Sequence, residues 1–154
     1  MNRCCCVLTL CLGLVTFGNN AFAQSPKDLV GTWTPVSVEA YGPTPKGLLI
    51  FDANGRFSII LMRPDLPKFA SNKRDAGTAE ENKAIVGGSL AYYGTYSLSG
   101  NELTLRTEGS TFPNWTGMDQ KRTNVSITGD ELKYSNNAPS AGGGTAHLVW
   151  RRAK

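Results

Sequence analysis

Residues 90–108 read LAYYGTYSLSGNELTLRTE, and this stretch decides the fold. Two patterned runs flank Ser99-Gly100-Asn101. In the second run Leu103, Leu105 and Thr107 alternate with Glu102, Thr104 and Arg106. A period of two sends alternate side chains to opposite faces, so one face is buried and the other is wet. In the first run Leu90, Tyr92, Tyr96 and Leu98 share a face. Between the runs, Gly and Asn supply the backbone freedom of a tight hairpin. The stretch is therefore an antiparallel hairpin with one face turned to a core.

The same grammar extends outward to eight strands: Gly31–Ala40, Lys46–Phe51, Arg56–Met62, Leu90–Leu98, Asn101–Glu108, Gln120–Thr128, Glu131–Ser135 and Thr145–Arg152. Pro35 interrupts the first, which suits an edge or a bulge. One short helix is expected between strands three and four, over Ala79 to Val86. Thr78 is its N-cap, Glu80 and Glu81 suit the positive end of its dipole, and Gly87-Gly88 stops it.

Loop lengths then set the topology. The even connections are tight: Asp52 to Gly55, Ser99 to Asn101, and Gly129-Asp130. The odd ones are long: Tyr41 to Pro45, Arg63 to Ser89, Gly109 to Asp119, and Asn136 to Gly144. In an up-and-down barrel, alternate connections lie at the same end. The expected fold is all-β: an eight-stranded up-and-down antiparallel barrel with one end closed by tight turns and a mouth framed by long loops. A two-sheet sandwich is the rival, but it gives no reason for short and long loops to alternate.

Residues 1–23 read as a cleaved signal peptide. Arg3 gives the positive start, Cys4 to Phe17 is apolar, and Ala21-Phe22-Ala23 is a small-x-small cleavage pattern. Residues 24–154 form the barrel domain, placed in the periplasm or secreted. All four cysteines lie in the leader, so the barrel has neither disulfide nor thiol ligand. The leader is too short to span a bilayer comfortably, and no stable membrane insertion is expected after cleavage. The net charge of +4 and pI near 9.0 come from dispersed Lys and Arg. No basic stripe with interleaved aromatics marks a nucleic-acid surface.

Gly31-Thr32-Trp33 resembles the opening Gly-x-Trp signature of lipocalin barrels, and Trp150-Arg151-Arg152 closes the last strand. That resemblance implies a tryptophan plugging the closed end with an arginine packed across it. The closure set would be Gly31, Trp33, Trp150 and Arg151, with Arg152 as the alternative arginine. The likeness sharpens to a bacterial and fungal lipocalin-like domain family. It is carried by Leu29-Val30-Gly31-Thr32-Trp33, Lys46-Gly47-Leu48-Leu49-Ile50-Phe51-Asp52, Met62-Arg63-Pro64 and Tyr92-Tyr93-Gly94-Thr95-Tyr96. The most specific stretch is Pro113-Asn114-Trp115-Thr116-Gly117 with Gln120 and Arg122. The family implies a ligand cavity but no settled reaction. Many members carry histidines where this chain has Leu105-Arg106-Thr107, so any chemistry they perform is lost here.

His147 is the only histidine, which excludes a multi-histidine metal site within one chain. No cofactor is expected, and no Gly-x-Ser-x-Gly elbow is present. Gly142-Gly143-Gly144 lacks a following Lys-Ser or Lys-Thr and reads as a flexible loop. The mouth collects the candidate ligand-binding residues Arg63, Tyr92, Tyr96, Glu108, Trp115 and Arg122. An arginine would meet an acidic or carbonyl group, and the aromatics would cover an apolar body. Binding of a small hydrophobic ligand by a monomer is the leading expectation. An isomerase, cyclase or hydrolase using Glu108 and Arg122 is the alternative. A protein-binding or inhibitor module using the Arg63–Ser89 loop is a third. Parity works against the enzyme. With Leu103, Leu105, Val125 and Ile127 inward, both Glu108 and Arg122 face outward as a surface pair, unless a bulge near Gly109 reverses the ends.

Overall fold

A computed structural model describes residues 24–154. The leader expected over 1–23 lies outside the described residues. Eight strands close into one antiparallel barrel in sequential order. They are β1 (Gly31–Val38), β2 (Lys46–Phe51), β3 (Arg56–Met62), β4 (Ser89–Ser99), β5 (Glu102–Ser110), β6 (Asp119–Thr128), β7 (Glu131–Asn136) and β8 (Ala146–Arg152). A four-residue helix α1 (Pro26–Leu29) precedes the barrel, and α2 (Ala79–Gly88) lies between β3 and β4. Thr78 and Glu81 cap α2 reciprocally, as a capping box. Gly87 and Gly88 form its last turn instead of stopping it, and β4 follows directly.

The tight turns do gather at one end. At the β2–β3 turn, Asp52 Oδ1 accepts from the backbone N–H groups of Asn54 and Arg56, at 2.9 and 2.8 Å. That end is plugged. Trp33 is wholly buried, and its indole N–H donates to the Leu29 carbonyl of α1 at 2.8 Å. The Arg152 guanidinium lies 4.1 Å from the Trp33 ring centroid. It also donates to the carbonyls of Val30 and Asp28, each at 2.8 Å. A Cβ at Gly31 would stand 2.7 Å from Arg152 Nη1, so the glycine of Gly-x-Trp leaves room for this arginine. Arg151, expected in the closure set, instead faces solvent. The reason is parity: Trp150 points inward, so Arg152 shares its face and Arg151 does not. Phe51, Leu49, Leu103, Leu105, Leu132 and Trp150 fill this half of the barrel.

Three bulges break the alternation. Pro35 sits at the first, where β1 shifts against β8 between Pro35 and Ser37. A closed barrel has no edge strand, so the bulge is where Pro is tolerated. The second lies between β4 and β5. Tyr93 opposes Gly109 while Gly94 opposes Thr107, leaving Glu108 as the extra residue. A Cβ at Gly94 would fall 1.8 Å from the Arg106 carbonyl oxygen, so the kink requires glycine there. The third lies in β6, where pairing with β7 shifts between Thr123 and Ser126. Asn124 takes a left-handed φ of 54° at this point, which asparagine tolerates better than most residues.

Candidate functional site

The β6 bulge reverses side-chain parity between Arg122 and Val125. Gln120, Arg122 and Val125 are therefore all buried. Arg122 also lies directly opposite Leu103, and opposed residues share a face. The outward placement expected for Arg122 is thus corrected: the side chain enters the barrel and is 1% exposed. Its Nη1 donates to Asn136 Oδ1 at 3.1 Å and to the Lys121 carbonyl at 3.0 Å. Nη2 donates to the Tyr92 hydroxyl oxygen at 3.2 Å. Nε is buried without a partner.

Around Arg122, Tyr92 stands edge-on to Phe57 at 5.7 Å and to Trp115 at 5.1 Å. Phe112 stands edge-on to Trp115 at 5.8 Å, and the Arg122 guanidinium lies 5.8 Å from the Trp115 ring centroid. Trp115 is held by a 3-10 turn over Pro113–Trp115. Its loop folds back along β5 through Thr107 N–H to the Met118 carbonyl and Gly117 N–H to the Thr107 carbonyl.

Three spaces border this cluster: a cleft of about 400 Å³ between segments 114–122 and 137–138, and two that share lining residues at the mouth. An inner chamber of about 40 Å³ is lined by Leu61, Tyr92, Trp115, Arg122, Asn136 and Leu148, among others. Above it lies a mouth cleft of about 280 Å³ whose walls include Tyr41, Val86, Leu90, Phe112, Ser140 and Ala141. Ala40, Tyr41, Leu90, Ser140 and Ala141 line both. Among the described residues the turn end is filled by buried side chains such as Trp33, Phe51 and Leu103, and these two spaces lie below the long loops. Burial pushes the Tyr41 phenol up to about 12 and raises Tyr134 as well.

Of the six expected mouth residues, the structure brings together Tyr92, Trp115 and Arg122. The other three lie elsewhere. Tyr96 is at the opposite end, packed edge-on to Phe51 and donating to the Asp52 carbonyl at 2.8 Å. Glu108 faces outward and forms a two-point pair with Arg56 at 2.8 and 3.1 Å. Arg63 is half exposed and bonded to Asp65. The Glu108–Arg122 pair on which the enzyme reading rested does not form, because the two side chains occupy opposite faces of the wall. His147 is exposed, with Nδ1 3.2 Å from Ser135 Oγ. Among the described residues no group of three or more His, Cys, Asp or Glu could hold a metal. No helix there is long and apolar enough to cross a membrane.

Sequence reasoning missed Tyr41, Phe112 and Asn136. The two aromatics sit in long loops, which is the signal that could have found them. Asn136 opens another of the long connections expected from the sequence and carried the same signal, although the structure makes it the last residue of β7.

A family model for the lipocalin-like domain matches residues 31–153. The chain belongs to this family. The match begins at the glycine that makes room for Arg152 and ends just past Arg152 itself, so it spans the whole lipocalin-like barrel. Among solved structures, the barrel is similar to the crystal structure of a single-site mutant of the fluorescent protein UnaG. The identity is 13% and the TM-score 0.40, over 83% of this chain and 98% of that one. No curated protein matches the sequence.

Proposed function

We propose that this lipocalin-like protein binds one small hydrophobic molecule at the open end of its barrel. The observation that carries this reading is the pair of mouth cavities that share lining residues, lined by Tyr41, Leu90, Phe112, Tyr92 and Trp115. A ligand site is typically concave, largely apolar and supplied with a few placed polar groups. The mouth has that composition. Its size, near the lower end of the range of about 300–1,000 Å³ for such sites, suits one small ligand. The leader motivates the further proposal that the protein is exported and acts outside the cytoplasm as a monomer.

The test is displacement of an apolar fluorescent probe, paired with native mass spectrometry of gently purified protein. The expected result is displacement by small amphiphiles. Ser140→Trp, which fills the mouth from a loop, should abolish it and leave the melting temperature unchanged. Equal displacement from the parent and Ser140→Trp would place binding elsewhere. N-terminal sequencing of exported material should begin at Gln24, and intact Met1 would overturn the export proposal.

A further inference from the structure

A guanidinium is permanently charged and donates only. Taking it out of water costs several kcal/mol unless an anion and hydrogen bonds compensate. Arg122 has neutral acceptors alone: Asn136, the Lys121 carbonyl and Tyr92 by hydrogen bond, with the buried Tyr134 phenol also beside it. No carboxylate among the described residues forms an ion pair with it. The acidic groups on the neighbouring strands are committed outside the barrel: Glu102 to Lys121, Glu108 to Arg56 and Asp119 to Arg106.

Three donors remain unspent: Nε–H and the second Nη2–H of Arg122, and the Tyr92 hydroxyl. Nε of Arg122 has no partner. Tyr92 accepts from Arg122 with its oxygen, which leaves its own O–H proton free to donate. A neutral carbonyl oxygen can accept from two of these donors but leaves the charge without a counter-ion. The chamber beside Arg122 is about 40 Å³, against about 10–15 Å³ for a space that just holds one water. It has room for a small polar headgroup.

Resting on the small-molecule reading of the mouth, we propose that the ligand is an amphiphilic monocarboxylate. Its carboxylate enters the inner chamber, which Arg122 and Tyr92 both line, and takes hydrogen bonds from the guanidinium and the Tyr92 hydroxyl. Its apolar body lies in the mouth cleft against Leu90 and Phe112. The ligand supplies the counter-charge that the barrel wall omits.

The test is calorimetric titration of the protein with octanoate, methyl octanoate and 1-octanol. All three carry the same chain, the ester keeps the carbonyl, and only the acid is charged. Octanoate should bind at least about tenfold more tightly than the other two, as expected for hydrogen bonds to a charged group. Arg122→Met should erase that preference and leave octanol binding in place.

Asn136→Asp is a second variant. It sets a carboxylate where Oδ1 already lies 3.1 Å from Nη1, giving Arg122 an internal partner. Octanoate should then lose its advantage while the fold is retained. Equal binding of all three probes to the parent would overturn the carboxylate assignment and leave the mouth as an apolar site. Failure of all three to bind would overturn the mouth reading and the carboxylate assignment together. An octanoate preference that survives in Asn136→Asp would also overturn the assignment.

Discussion

Each end of the barrel sets an arginine against a tryptophan, and the two pairs are built differently. At the closed end the Arg152 guanidinium is 4.1 Å from the Trp33 ring centroid, with carbonyl acceptors from Val30 and Asp28. Its Nε also lies 3.8 Å from the Asp130 carboxylate. At the open end Arg122 is 5.8 Å from the Trp115 ring centroid, has no carboxylate partner and keeps an orphan Nε. The first arginine is finished by the protein itself. On the proposed reading, the second is finished by the ligand's carboxylate. One residue type on one ring type closes the barrel at one end and is proposed to recognise a ligand at the other, and the acceptors around it make the difference.

The closed end should break hardest. Trp33 is fully buried and bonded to Leu29. Trp33→Ala removes the plug and its anchor to α1, and should cost about 3–5 kcal/mol in urea denaturation. A loss below 1 kcal/mol would mean that α1 and the plug add little to the barrel.

The two arginines should then respond unequally to the same change. Arg152→Met loses two charge-assisted bonds and the ring contact, and should cost about 2 kcal/mol. Arg122→Met removes an unpaired buried charge in favour of an apolar side chain of similar length. The change relieves the desolvation cost of an uncompensated charge but gives up three hydrogen bonds to neutral acceptors, so the two effects offset and the net loss should be about 1 kcal/mol, smaller than for Arg152→Met. Equal losses from the two variants would erase the contrast and make Arg122 a structural residue.

The closed end was legible in the sequence because its rules are local. Tight turns declare themselves through Gly, Asn and Asp, and Gly31-Thr32-Trp33 and Trp150-Arg151-Arg152 lie at strand ends that topology brings together. The one error there, Arg151 for Arg152, was a single step of parity. The open end was legible only in outline. Long loops announced a mouth and held Trp115. Arg122 was placed on the wrong face because alternation was carried unbroken through Asn124, where a bulge inserts one residue. Nothing in a run such as Thr123-Asn124-Val125 marks a bulge unambiguously, since asparagine suits many conformations. Glu108 was read correctly as outward, yet its partner Arg56 lies on β3, two strands away, and sequence spacing carries no sign of that contact.

The smallest effect belongs to that Glu108–Arg56 pair, and its smallness is informative. Both side chains are about half exposed, so solvent screens them and the pair is worth roughly 0.2–1 kcal/mol. Glu108→Gln should therefore shift stability by less than about 1 kcal/mol, with the loss shrinking further in high salt. Amphiphile affinity, read in the same titration, should not change, because the barrel wall separates Glu108 from Arg122. A loss of binding in Glu108→Gln would restore the acid–arginine pairing that the bulges forbid. Unchanged binding leaves Arg122 as the charged group that faces the ligand, opposite a wall whose acids all point the other way.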